Sequence, residues 1–169
     1  GFLWVRRSLA DTLKPGHVAR YGIDLGEGAH ETAIGSGELR FQPGALRFDL
    51  GNFNYLGAAA AQASIELLRS IRMKRVETHL RSLAARLATG LLELGLPVPG
   101  GAPGEHLAHI VSVGESGGGR HYTADDPKMN ELYDQLTRNG VRLSIRRGVL
   151  RMSLGIYNDE ADVDRVVTL

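Results

Sequence analysis

The segment VRLSIRRGVLRMSL, residues 141–154, admits one strand register. With a two-residue turn at Arg147-Gly148, residue 146 faces 149. Val141, Leu143 and Ile145 then oppose Leu154, Met152 and Leu150, so every pair is apolar. Arg142, Ser144, Arg146, Arg151 and Ser153 fall on the other face, with Ser144 opposite Arg151. A slip of one residue would turn all the apolar side chains to the polar face, so the segment predicts a β-hairpin with one face in a core. Asn or Gly would suit the first turn position better than Arg147, which leaves the turn type open.

Around the hairpin the periodicity is helical. Asp126 is an expected N-cap with Pro127 at the first helical position, and Asn139-Gly140 is a stop signal. After the hairpin, residues 149–167 read as strand, turn and helix. Upstream, Met73, Val76, Leu80, Leu83, Leu87, Leu91 and Leu94 step by three and four, predicting a helix over 73–94. Such a helix is about 33 Å long, enough to bridge two domains. A second helix is expected from Gly57, where AAAAQAS allows close approach of another element. HLAHIVSV, GFLWVR and ALRFDLGNFNY read as strands, and residues 8–14 as a short helix. Residues 15–45 are glycine-rich and without period, a length of irregular chain that is usually functional or disordered.

Composition removes whole classes of function. The chain has no cysteine, which excludes disulfides, thiolate metal sites and cysteine nucleophiles within these 169 residues. Twenty basic and 19 acidic residues nearly cancel, giving no reason to expect a nucleic-acid partner. The longest apolar run, Leu56 to Ala61, is too short to cross a bilayer, so no membrane role is expected and a cytoplasmic location is the default. The chain opens directly on an apolar stretch and closes inside an apparent helix, which suggests a piece of something larger.

Few side-chain groupings suggest chemistry. Gly114 and Gly119 have phosphate-loop spacing, but Arg120-His121 stands where Lys-Ser/Thr is required. His106 and His109, three apart on an expected strand, would point to opposite faces and cannot share a metal. His30 beside Glu31 could form a site or a solvated loop. No G-x-S-x-G elbow is present. Arg142, Arg146 and Arg151 remain, readable as a solvated ion-paired face or as a carboxylate or phosphate clamp. Spacing alone does not decide between the two.

GFLWVRRSL, RFDLGNFNYLGAAAAQASIELL and LRMSLGIYNDEADVDRVV, in that order, resemble the C-terminal part of the class V aminotransferase family, and R-x-S-L-x-x-Y-N-x-x-x-D-V-D is its more specific signature. These are pyridoxal-phosphate enzymes of fold type I, including isopenicillin N epimerase-like proteins, selenocysteine lyases, cysteine desulfurases and kynureninases. The resemblance implies an α/β chain. Residues 1–56 would be the tail of the large domain, 57–96 a helical pair with the interdomain helix, and 97–169 a small α+β domain. It implies that Arg151 binds the substrate's α-carboxylate. Gly51 to Asn54 (GNFN) match a G-T-P-N-like turn that touches the cofactor phosphate of the partner subunit. Asn52 keeps a donor there with altered reach, and a plain turn or helix cap fits equally.

The family's Schiff-base lysine would precede Gly1, and Lys14, Lys74 and Lys128 match no such position, so no catalytic residue is expected here. The desulfurase cysteine would lie on the loop that is here only Arg147-Gly148, which disfavours a desulfurase. A homodimeric epimerase, aminotransferase or carbon–sulfur lyase acting on an amino acid or derivative is the expectation. The alternative is a stand-alone α/β module binding an anionic ligand through its arginine face.

Overall fold

The computed structural model describes residues 2–27 and 39–169. His30 and Glu31 lie outside the described residues. The chain divides into two units, Gly1–Ile65 and Glu66–Leu169, each with its own organisation.

The first unit is held by polar contacts more than by a core. Helix α1 covers Arg7–Ala10, and short 3-10 turns cover Arg20–Gly22 and Gly44–Phe48. Asp11 is the tie point. Its carboxylate accepts from the Gly44 amide at 2.7 Å and the Arg47 guanidinium at 2.8 Å, while its carbonyl accepts from Arg47 again at 2.8 Å. Ile23 bridges Phe41, and a Cβ on Gly22 would collide with the Arg47 carbonyl, so only glycine allows that approach.

Two strand expectations fail in this unit. Residues 2–6 form no strand, and Phe2, Leu3 and Trp4 are exposed, because no described strand pairs with them and an isolated strand has no ladder bonds. The stretch from Ala45 is a 3-10 turn instead. Gly44 at φ 61° and the hold of Arg47 on Asp11 override the alternation of Leu46, Phe48 and Leu50. The expected helix over 8–14 is shorter, ending at Ala10. Helix α2 (Tyr55–Ile71) begins at the Asn54 side chain, which accepts from the Gly57 amide at 2.8 Å, and none of its residues is buried.

The second unit has a continuous core. Helix α3 (Met73–Glu93) starts at Arg72, which sits at φ 71°. Strand β1 (Ile110–Val113), helix α4 (Pro127–Arg138), strands β2 (Ser144–Arg146) and β3 (Val149–Ser153), and helix α5 (Glu160–Thr168) follow. The α3 stripe buries Val76, Leu83, Leu87 and Leu91, but Met73 and Leu94 at its ends are exposed. Asp126 caps α4 as expected, accepting from the Lys128 amide at 2.9 Å. His106 and His109 both precede β1, which starts only at Ile110, so the two do not share a strand.

The sheet order is β1-β3-β2, all antiparallel. The hairpin has the register expected from its apolar pairs, with Ser144 facing Arg151, Ile145 facing Leu150 and Arg146 facing Val149. Val111, Val113, Ile145, Leu150 and Met152 pack with α3, α4 and α5 in one cluster. At roughly 25 cal/mol per Å2 of apolar surface removed from water, that face is the main source of the unit's stability. The turn residues Arg147 and Gly148 both have positive φ, 46° and 93°, as a type I′ turn requires.

Two outcomes follow. Arg147→Asn or Arg147→Gly should raise stability by about 1 kcal/mol, since a left-handed non-glycine residue costs about 1–2 kcal/mol. Gly148→Ala should lower it by at least about 1–3 kcal/mol, because its Cβ would lie 2.6 Å from the Glu115 carbonyl oxygen and 2.7 Å from that of Gly118. Denaturant midpoints measure both. The second outcome concerns α5. Arg86 on α3 grips Asp164 at 2.6 and 2.8 Å, which holds the Asp164 carboxyl below the usual carboxylate value. Asp162 is lowered as well, by hydrogen bonds from the Asn158 side chain and then the Asp159 amide. A carboxyl lowered in the folded state stabilises above the ordinary value near 4, and that contribution disappears as the pH falls through the folded value. Amide protection in α5, taken relative to intrinsic exchange at each pH, should therefore fall below about pH 4, and Asp164→Asn should remove part of that pH response.

Candidate substrate-carboxylate site

Arg151 occupies the middle of the central strand. Its neighbours across the ladders are Ser144 on β2 and Ser112 on β1. Residues directly opposite in an antiparallel sheet share a face, so a guanidinium lies between two hydroxyls on the face away from the core. None of the residues on that face is buried, and Arg151 itself is half-buried. Among the described residues the Arg151 side chain has no hydrogen bond and no ion pair, and it faces no Asp or Glu within salt-bridge range. Its flank is a fork of five donors without an acceptor.

The rest of the signature around Arg151 is structural. Asn158 accepts from the Gly155 amide at 2.8 Å and donates to Asp162 at 2.9 Å. Asp159 and Asp162 form a reciprocal capping box at the start of α5. Asp164 is held by Arg86. These side chains fix the turn after β3 and dock the helix that follows, which keeps the strand end in place.

The loop that follows β1 braces the hairpin turn. The Gly117 amide donates to the Arg147 carbonyl at 2.9 Å and the Gly148 amide to the Thr123 carbonyl at 3.1 Å. Two further amides of the loop are engaged, Asp125 with the Gly118 carbonyl and Ala124 with the Asn130 side chain. A phosphate cradle needs free amides, and the Gly117, Ala124 and Asp125 amides of this loop are already engaged. The loop also brings Tyr122 to the arginine face, with the Arg146 guanidinium 4.6 Å from the ring centroid. Arg142 is exposed at the sheet's end.

Ser112 and Tyr122 were not singled out from sequence. Ser112 is the polar residue between buried Val111 and Val113, an alternation visible in IVSV, but nothing local says that β1 joins β3. In the first unit, the Tyr21 hydroxyl donates to the Asn52 carbonyl oxygen at 2.5 Å, and Tyr21 lies against Phe53 at 6.3 Å. That bond leaves the Asn52 amide nitrogen as the donor end. Asn54 of the same turn is the helix cap. Among the described residues no group of three or more His, Cys, Asp or Glu could hold a metal ion, and no helix is long and apolar enough to cross a membrane.

The aminotransferase class-V family model matches residues 1–166. The uncharacterized aminotransferase YcbU of Bacillus subtilis (strain 168) is 25% identical over 98% of this chain. The 8-amino-7-oxononanoate synthase of Halorhodospira halophila (strain DSM 244 / SL1) is 32% identical over 65% of it. The chain spans 39% and 26% of the lengths of those two proteins. Among solved structures, the complex of the cystine C–S lyase C-DES with its product cysteine persulfide superposes with a TM-score of 0.70 at 17% identity, covering 98% of this chain and 40% of that one. The cysteine desulfurase CsdA of Escherichia coli gives 0.68 at 19% identity, covering 96% and 39%. These likenesses establish the α/β fold of type I pyridoxal-phosphate enzymes, and the match over nearly the whole sequence places the chain in the class V aminotransferase family.

Proposed function

We propose that this chain supplies the substrate-carboxylate clamp of a pyridoxal-phosphate enzyme acting on an amino acid or a small amino-acid derivative. One observation carries the reading. Of the charged and amide side chains in the R-x-S-L-x-x-Y-N-x-x-x-D-V-D signature, Arg151 is the one with no partner among the described residues. An arginine with a structural role is satisfied by its own chain; one reserved for a ligand keeps its donors available.

Arg151 would take the carboxylate in a two-pronged pair, and the hydroxyls of Ser112 and Ser144 lie beside it for the remaining lone pairs. The strand fixes the backbone and the face from which the Arg151 side chain leaves, which sets the direction from which a carboxylate would be met. Asn52 fits a contact to the cofactor phosphate, because Tyr21 occupies its oxygen and leaves the amide donors. Bound pyridoxal phosphate supplies an electron sink for charge developing at the substrate α-carbon. In this reading residues 1–56 belong to the large domain, 57–96 bridge it to the small domain 97–169, and the enzyme is a cytoplasmic homodimer. A two-residue β2–β3 turn and the absence of cysteine favour an epimerase, aminotransferase or carbon–sulfur lyase over a desulfurase.

In the full-length protein, Arg151→Ala should weaken substrate binding by about 2–5 kcal/mol, roughly thirty-fold to several-thousand-fold. Arg151→Lys should recover part of this, since a point charge lacks the fork. Cofactor absorbance should be unchanged in both. Asn52→Ala should instead lower pyridoxal-phosphate affinity several-fold, by about 1 kcal/mol for one hydrogen bond. Normal substrate binding by Arg151→Ala, measured by titration, would overturn the clamp.

A further inference from the structure

We propose that Arg146 is a second anion anchor on the same sheet face, so that the site takes amino acids with an acidic side chain. This rests on Arg151 being the α-carboxylate clamp.

Arg146 faces Val149, one hydrogen-bonded step from the Ser144–Arg151 pair. Arg146 and Arg151 are therefore diagonal neighbours on one face, about 7–8 Å apart in such a pair and somewhat closer at their Cβ atoms. Two guanidinium groups at this spacing repel each other, an arrangement that proteins normally relieve with a carboxylate. No Asp or Glu does so for either arginine among the described residues. A ligand carrying two anionic groups would.

Arg146 is also held in place. One terminal nitrogen donates to the Ile145 carbonyl at 2.9 Å, and the Tyr122 ring lies against the guanidinium. An aromatic face stabilises the cation without neutralising it and leaves the other guanidinium nitrogens for a ligand. Tyr122 is 66% exposed, and the loop that carries it sets its place on this face. The loop carrying it is bonded to the hairpin turn through Gly117 and Gly148, and His121 meets its ring edge-on at 4.3 Å. A Cβ on Gly119 would strike the Thr123 carbonyl, so the loop closes in this way only with glycine there. Tyr122 thus acts as a positioning residue for Arg146. An aspartate-like or glutamate-like substrate would place its α-carboxylate on Arg151 and its side-chain anion at Arg146. The uncharged amide isostere would offer Arg146 one neutral carbonyl oxygen in place of an anion, losing the charge-assisted, two-pronged pair that a carboxylate makes with a guanidinium.

Calorimetric titration of the full-length protein with unreactive probes separates the possibilities. The probes are succinate against succinamate and glutarate against glutaramate, pairs of one shape that differ by one charge. The dicarboxylate of at least one pair should bind ten-fold or more tightly than its monoamide. Arg146→Gln should bring that ratio near one, and Arg146→Lys should leave it intermediate. Tyr122→Ala should reduce it while Tyr122→Phe preserves it, because the ring and not the hydroxyl holds the cation. Arg151→Ala should weaken both members of a pair together. If Arg151→Ala weakens both but the unaltered protein shows no dicarboxylate preference, or Arg146→Gln retains it, the second anchor is wrong and the clamp stands. If Arg151→Ala changes neither, the clamp itself is wrong.

Discussion

The register of β3 decides which side chains the sheet turns away from its core. Leu150 and Met152 are locked into the core by Val111, Val113 and Ile145, and the residue between them has no choice of side. Arg151 emerges opposite the core because its two neighbours are apolar. Moving the strand by one residue would bury a guanidinium without a partner and expose two large apolar side chains, a combined penalty far above any gain in pairing. Packing on one face thus fixes the position of a charge on the other to within the rigidity of a central strand, and a central strand has ladder bonds on both sides.

That rigidity is reinforced from both ends of the strand. Before it, the hairpin turn carries positive φ at two positions and is bonded to the loop from Gly114 to Asp125. After it, Asn158 and Asp162 tie the turn to the first residues of α5, and Arg86 secures α5 to α3. The polar residues that surround Arg151 in sequence are therefore occupied in building the support, which is why the arginine stands out chemically. With Asn158, Asp162 and Asp164 already engaged, the Arg151 guanidinium has no charged or amide partner within the signature.

What was legible in the sequence is what is local. The hairpin register, the α4 cap at Asp126 and the heptad-like stripe of α3 each depend on residues within a few positions of one another, and each is found as expected. The failures are long-range. GFLWVR has the composition of a strand but no partner among the described strands, and ALRFD alternates correctly yet is turned by Gly44 and by an ion pair to Asp11, 36 residues away. Of the residues around Arg151, Ser144 could be placed by counting along the hairpin. Ser112 could not, since its role depends on β1 crossing α4 in sequence to reach β3. Tyr122 lies on a loop whose path is decided by backbone bonds that leave no pattern in side chains.

The braced turn has a bearing on how this branch of the family can diversify. Glu115 and Gly118 crowd the position of Gly148 so closely that there is no room for additional backbone between β2 and β3 while the preceding loop keeps its place. Lengthening the hairpin tip, the natural place to add a new reactive group beside Arg151, would first require the glycine segment to be displaced. The tip and the glycine segment are thereby one mechanical unit: side chains on the polar face can change singly, but the length of the tip cannot change without moving the segment that holds it.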